Sequence, residues 1–449
     1  MPETDLSPAP KLSVGAPVAL VRVIGRWSLT ALMVNSILGA GIFGLPAVLA
    51  ARMGGLSPLS CLLAGLGVLI IAACIAEVSS QFDETGGLYL YARHAFGVFP
   101  SLLVGWLTLL TRIVAPAAGA NLFCTYAAQF FPVLAGRKAV VVILVLLIGQ
   151  HALFNYIGVK TGKNVSNFFT AVKVGFLLFF IVSGLLVWIF RPELRVPLSY
   201  VFIPAKNWFE SILLLVYAYG GFEGTLFVGG ETKNPRADTP IALLRALAAV
   251  CVIYTAVQFV VVSLLPTAAT SSRPLADAAQ QFLGSGGATA IGLAALVSTY
   301  GYLSANMLQS PRITFAMAER GDFPRFLAAV HPRFRTPYVS IILYVLLLFG
   351  FAAFGNFRWN AMLSAVSRLA VYGAMALAVP VLRRKNPSAA RFRLPAPYLF
   401  AGAGIFLAIL LLTQMGRGEF LIVGGTCLVA LANWLVVRKR QTLSEENTR

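Results

Sequence analysis

The sequence predicts an all-α polytopic membrane protein of twelve transmembrane helices, arranged as a 5+5 inverted repeat with helices 1 and 6 broken. Three observations predict it. Hydrophobic residues make up 58% and charged residues 11% of the 449 residues, against about 45–50% and about 25% in soluble domains. Apolar runs of about the 20 residues needed to cross a bilayer recur along the chain. The first and sixth runs are interrupted in mid-span by glycines, and broken helices five apart are the mark of inverted repeats whose site lies near the bilayer midplane.

The runs lie near 28–50, 56–79, 98–131, 139–160, 165–190, 207–230, 240–266, 288–319, 337–354, 359–382, 398–414 and 419–437. They make one transmembrane domain, 26–437, with repeats at 28–190 and 207–382 and peripheral helices at 398–437. Residues 1–25 read as a disordered cytoplasmic tail, since Pro2, Pro8, Pro10 and Pro17 oppose regular structure and no signal-peptide pattern appears. Residues 438–449 form the second tail. The net charge of +19 does not indicate a nucleic-acid partner, because the bases sit in short clusters between apolar runs. Arg320 to Arg335, Arg383-Arg384-Lys385 and Arg438-Lys439-Arg440 are the clearest. By the positive-inside rule they put both termini in the cytoplasm of a cell with the protein in its plasma or inner membrane.

Helix 1 carries VNSILGAGIFGLP at 34–46. Glycine is costly inside a helix and proline removes a donor, so Gly39-Ala40-Gly41 should separate two half-helices. Irregular backbone at membrane depth survives only where it is buried or lines a cavity. The turn leaves amides facing anions and carbonyls facing cations, which suits a zwitterion such as an α-amino acid. Helix 6 repeats the device at Gly220-Gly221, followed by Phe222 and Glu223. Close helix packing would explain one glycine pair, but two in this relation point to a site.

Residues 81–97, QFDETGGLYLYARHAFG, read as an interfacial helix with Tyr89 and Tyr91 at the headgroups. Glu77 just before it is either a gate carboxylate or, more simply, a charge at a helix end that reaches the interface. Lys173 in helix 5 either snorkels or contacts carbonyls inside the bundle, where it could carry a proton. Glu223 could load a proton, meet an amine, or tie the unwound backbone by hydrogen bonds; the tie is the simplest role. Arg112 and Arg368 fit snorkelling or bundle-internal carbonyl contacts better than substrate contact, and Arg245 and Arg312 can snorkel. His151 reads as a hydrogen-bonded interior histidine. Cys61, Cys74, Cys124, Cys251 and Cys427 lie within apolar runs without metal-ligand spacing. With no nucleophile–histidine–acid group, phosphate loop or metal box, the sequence implies no enzyme, metal or cofactor.

Four ordered motifs resemble the amino acid–polyamine–organocation (APC) transporter superfamily, nearest its bacterial amino acid permeases and cationic amino acid transporter-like branch. They are GAGIFGLP at 39–46, FDETGGLYLYARHAFG at 82–97, YAYGGFEG at 217–224 with ETKNPRADTP at 231–240, and SPRITFAMAERGDFP at 310–324 with HPRFRTP at 331–337. The resemblance implies a LeuT-like fold and a substrate site at Ile37, Gly39, Ala40, Gly41, Ile42, Tyr217, Gly220, Gly221 and Phe222. Amides of Ala40, Gly41 and Ile42 would hold the substrate carboxylate, and carbonyls of Ile37, Tyr217 and Gly220 the α-amino group, with the Tyr217 ring beside the side-chain pocket. Ala40 replaces a frequent serine, so one hydroxyl contact is missing. Lys173 corresponds to a lysine that stands where a sodium ion sits in other members. The implied function is amino acid transport by alternating access, coupled to protons or to a counter-substrate rather than sodium. A polyamine carrier, in which Glu223 meets an amine, is the alternative; a non-transporting sensor and a channel fit less well.

Overall fold

The computed structural model describes residues 24–83, 87–158, 163–197 and 202–446, without side chains for 163–172, 227–231 and 440–446. The elements are helices: α1 (Arg26–Ile37), α2 (Gly41–Met53), α3 (Ser57–Ser79), α4 (Gly87–Phe96), α5 (Val98–Phe130), α6 (Arg137–Tyr156), α7 (Lys163–Phe190), α8 (Ala205–Tyr219), α9 (Pro235–Leu264), α10 (Pro274–Glu319), α11 (Tyr338–Phe354), α12 (Phe357–Lys385), α13 (Pro397–Leu412) and α14 (Arg417–Glu446). Among the described residues the β-structure is one isolated bridge, Ile24 to Thr232. Among the described residues eight helical segments are individually long and apolar enough to cross a membrane. Large side chains such as Leu346, Leu399, Phe406 and Leu428 are exposed on the rim, where lipid tails rather than water would meet them.

Each apolar run has its helix. The first is α1 plus α2, and the sixth is α8 plus a 3₁₀ run over Phe222–Glu231. The second half of the sixth run is therefore a tighter 3₁₀ coil, where an α-helical half was expected. The eighth run starts earlier than its apolarity shows: α10 begins at Pro274 and bends at Gly284, whose φ of 70° lies in the left-handed region that favours glycine.

The core is built by α1, α3, α5, α8, α9 and α12. Small residues let these helices approach one another, as Gly65 does where an added Cβ would meet Cys251 Sγ and Tyr219 Oη. Between the ends of α3 and α5 lies α4, and here the interfacial expectation needs correcting. Tyr89 and Tyr91 are buried, Tyr91 stacked on Phe82 with centroids 5.1 Å apart and Tyr89 hydrogen-bonded to Asp322. A phenol ring buries large apolar area once its hydroxyl finds a partner inside, and Asp322 is that partner.

The end of the bundle where α1 and α9 begin and α3, α10 and α12 finish is tied by ion pairs. Arg26 meets Asp238 at 2.8 Å, Arg93 meets Asp322 at 2.7 Å and Arg236 meets Asp83 at 2.7 Å. Glu77 belongs to this set and is fully buried, which corrects its reading as an interface-reaching charge. Its carboxylate accepts from Arg383 Nε (2.5 Å) and Nη2 (2.9 Å) and from the Leu394 amide (2.8 Å). Three donors satisfy a charge that lipid or protein interior alone would not tolerate.

Candidate functional site

The two interruptions meet. Helix α1 ends at Ile37 because Leu38 turns out of helical geometry (φ −68°, ψ 74°), and the chain resumes as α2 at Gly41. The first amides of α2 have no carbonyl one turn back, as at any helix start, and so remain donors. Helix α8 ends at Tyr219, with Gly220 extended (ψ 175°) and Gly221 at a φ of 115°, open to glycine. A Cβ on Gly221 would collide with the Ser36 carbonyl, and one on Gly41 would sit 3.0 Å from Ala218 Cα. Backbone touches backbone at both places, which explains the need for glycine. The Tyr254 hydroxyl of α9 lies 3.1 Å from the Ile37 carbonyl and 3.0 Å from the Ala218 carbonyl. One proton shared between two carbonyls pins the end of α1 to the end of α8.

A polar cavity of about 50 Å³, room for more than one water, opens beside this crossing. Its wall includes Asn35, Gly221, Glu223, Arg112, Tyr302 and Arg368. Glu223 ties the unwound backbone as the simplest reading of it expects, accepting from the Gly221 amide at 2.7 Å. It also accepts from the Tyr372 hydroxyl and forms an ion pair with Arg368 at 2.6 Å, close but not aligned as a hydrogen bond. Arg368 Nη1 donates to the Tyr217 carbonyl at 3.2 Å, a bundle-internal carbonyl contact. A Cβ on Gly220 would fall on the Arg368 guanidinium, and one on Gly224 would lie 2.6 Å from Arg112 Nη2. The glycines of the sixth run thus make room for two guanidiniums as well as for a bend.

Ile37, Gly39, Ala40, Gly41, Ile42, Tyr217, Gly220 and Gly221 all lie at or next to the crossing, but they do not face one cavity. Gly221 borders the polar cavity, whereas Gly41 and Ile42 border a small crevice with Leu215, Ala218, Tyr254 and Gln258. The Tyr302 ring covers Gly39, where a Cβ would sit 3.1 Å from it, and Gly119, and it also borders the polar cavity. Phe222 stacks on Tyr372 with centroids 5.6 Å apart. The Ile37 and Tyr217 carbonyls already accept from Tyr254 and Arg368. Lys173 is buried, and its Nζ donates to the Asn35 carbonyl at 3.0 Å and to Asn35 Oδ1 at 2.9 Å.

Of the remaining charges, exposed Arg245 lies over the Trp27 ring at 4.8 Å and Arg312 caps the Leu308 carbonyl. His151 is buried, with Nδ1 2.7 Å from the Leu147 carbonyl. Sequence reasoning missed Tyr254, Tyr302 and Tyr372, which sit in unbroken apolar runs without a local signal.

Interrupted helices that cross inside an apolar helical bundle, next to a polar cavity, define a polytopic membrane transport protein. The model of the amino acid permease family matches residues 24–429, and the chain belongs to that family, whose members are permeases rather than enzymes. Among curated proteins of Bacillus subtilis (strain 168), it is 29% identical to a methylthioribose transporter over 86% of this chain and 87% of the relative. It is 31% identical to a serine/threonine exchanger over 72% and 74%, and 25% identical to a branched-chain amino acid permease over 89% of each.

Proposed function

We propose that this protein is a secondary transporter of amino acids in the plasma or inner membrane, working by alternating access around the crossing of α1–α2 with α8. The observation that carries the reading is the Tyr254 clamp: one hydroxyl holds the carbonyls of both interrupted helices. Motion of one half-helix relative to the other must break that bond, so the clamp favours movement of the two breaks together. The twelve apolar runs act as spans, 28–190 and 207–382 as inverted repeats and 398–437 as peripheral helices, within a single domain at 26–437 and with both termini cytoplasmic. The tied end of the bundle is then the inner one. In this reading the α-carboxylate docks on the amides of Ala40, Gly41 and Ile42. Ile37, Gly39, Tyr217, Gly220, Gly221 and Phe222 frame the rest of the site once the Tyr302 ring moves off Gly39.

Coupling is to protons or to a counter-substrate, without sodium. Lys173 supports this, because an ammonium on Asn35 occupies the carbonyl and amide oxygens a cation would need and repels a second cation nearby. A polyamine substrate is disfavoured by the cavity itself, where two guanidiniums face one carboxylate already engaged by Arg368, Tyr372 and Gly221. Uptake of labelled amino acids into proteoliposomes tests the reading. The expected result is accumulation driven by a proton gradient or by internal amino acid and unchanged when potassium replaces sodium; strict sodium dependence would overturn it.

A further inference from the structure

Arg112 is the outstanding group of the polar cavity. It comes from the middle of α5, is 8% exposed, and lines the cavity beside Arg368. Its Nη1 has one long contact, 3.4 Å to Asn306 Oδ1, and among the described residues its Nη2 has no hydrogen-bond partner. Among the described residues the one carboxylate of the wall, Glu223, is committed to Arg368, Tyr372 and the Gly221 amide. A guanidinium inside a membrane protein is held by a carboxylate or by carbonyls, and a buried donor without a partner calls for one. Here the wall is built around the guanidinium: Gly224 leaves space for Nη2, and Asn306 steers Nη1.

We propose that Arg112 is the docking site for a carboxylate of the substrate beyond the one held at the α2 amides, so that the substrate is net negative. Resting on the amino acid reading above, the class is the acidic α-amino acids. The chemistry of the side chain agrees. The planar fork of Arg112 offers the paired N–H geometry that a carboxylate accepts side by side.

The test is competition against labelled L-glutamate in proteoliposomes holding the full chain, with unlabelled L-glutamate, L-aspartate, L-glutamine, L-arginine, putrescine and succinate as probes. The expected result is that glutamate or aspartate competes about tenfold or more better than isosteric glutamine. In Arg112→Gln the preference collapses to within about threefold, and Arg112→Lys restores part of it. Glutamine or arginine competing as well as the acidic amino acids overturns the inference while leaving amino acid transport standing, and putrescine doing so overturns it in favour of the polyamine alternative. Succinate competing as well as glutamate supports Arg112 as a carboxylate site and overturns the amino acid reading instead. Absence of saturable glutamate uptake overturns the inference alone, since the probes leave small and branched-chain amino acids untried. Should the Arg112 variants fail to elute as monodisperse protein, the glutamate-to-glutamine ratio of the unmodified chain decides alone.

Discussion

Lys173 of α7 grips Asn35 of α1 through both of that residue's oxygens, at 3.0 Å to the backbone carbonyl and 2.9 Å to Oδ1. Asn35 lies one half-turn before the end of α1 and borders the polar cavity. The charge on Lys173 therefore acts on the interrupted helix and on the cavity wall at once. Hydrogen bonds to a charged donor contribute about 1.5–3 kcal/mol. Lys173→Ala is accordingly expected to lower gradient-driven uptake about ten- to a hundredfold. Proteoliposome uptake at fixed pH gradient measures this, and undiminished coupled transport in the variant would remove Lys173 from the mechanism.

The Tyr254 clamp predicts a smaller and separable effect. Tyr254→Phe keeps the ring, which packs against Tyr219 with centroids 5.2 Å apart, and deletes the shared proton. The expected cost is about 1 kcal/mol of stability. Both the thermal midpoint in detergent and the transport rate should fall, because the two breaks lose their common tether. A variant with unchanged midpoint and rate would show that the breaks are held by packing alone.

Breaking the buried ion pair at the tied end of the bundle should destabilise the fold. Glu77 is fully buried while Arg383 keeps 26% of its side chain exposed, so the cost lies toward the lower part of the usual range, about 3 kcal/mol. Glu77→Gln is expected to lower the unfolding midpoint in detergent clearly, whereas Glu77→Gln combined with Arg383→Met recovers part of the loss. Equal midpoints for the single variant and the parent would mean that the Leu394 amide and solvent satisfy each partner separately.

Gly41→Val addresses the contact with Ala218. The added side chain would meet Ala218 Cα and Cβ, both 3.0 Å from its first carbon, and force the half-helices apart. Substrate-dependent thermal stabilisation should disappear in this variant while the ligand-free midpoint falls by only a few degrees, an overpacking cost of about 1–3 kcal/mol. Stabilisation by substrate as in the parent would count against the crossing as the site.

The interruptions were legible in the sequence because glycine lowers helix propensity locally at Gly39 to Gly41 and Gly220-Gly221, although the Gly424-Gly425 pair stays helical within α14, so it was the spacing of the two breaks that singled them out. The tie between Glu223 and the Gly221 amide is equally local, two residues apart. What pairs across the bundle was not legible. Nothing near Arg368 announces Glu223, nothing near Glu77 announces Arg383, and the hydroxyls of Tyr254 and Tyr302 sit in runs that read only as apolar. The α4 tyrosines misled for the same reason. Amphipathic rings suit an interface by composition, and only tertiary contact reveals Asp322 as the inner partner. The early start of α10 was hidden because residues 274–287 are helical without being apolar enough to register as a span.

The most direct measurement of the central claim is saturation binding of labelled amino acids to purified protein, compared with Gly221→Ala. In that variant a methyl group strikes the Ser36 carbonyl at a backbone angle alanine resists, exactly where the two interrupted helices meet. The account predicts saturable binding in the parent and at least about a tenfold weaker affinity in monodisperse Gly221→Ala protein. Equal affinity in the two proteins would contradict it, because the substrate would then be held away from the crossing.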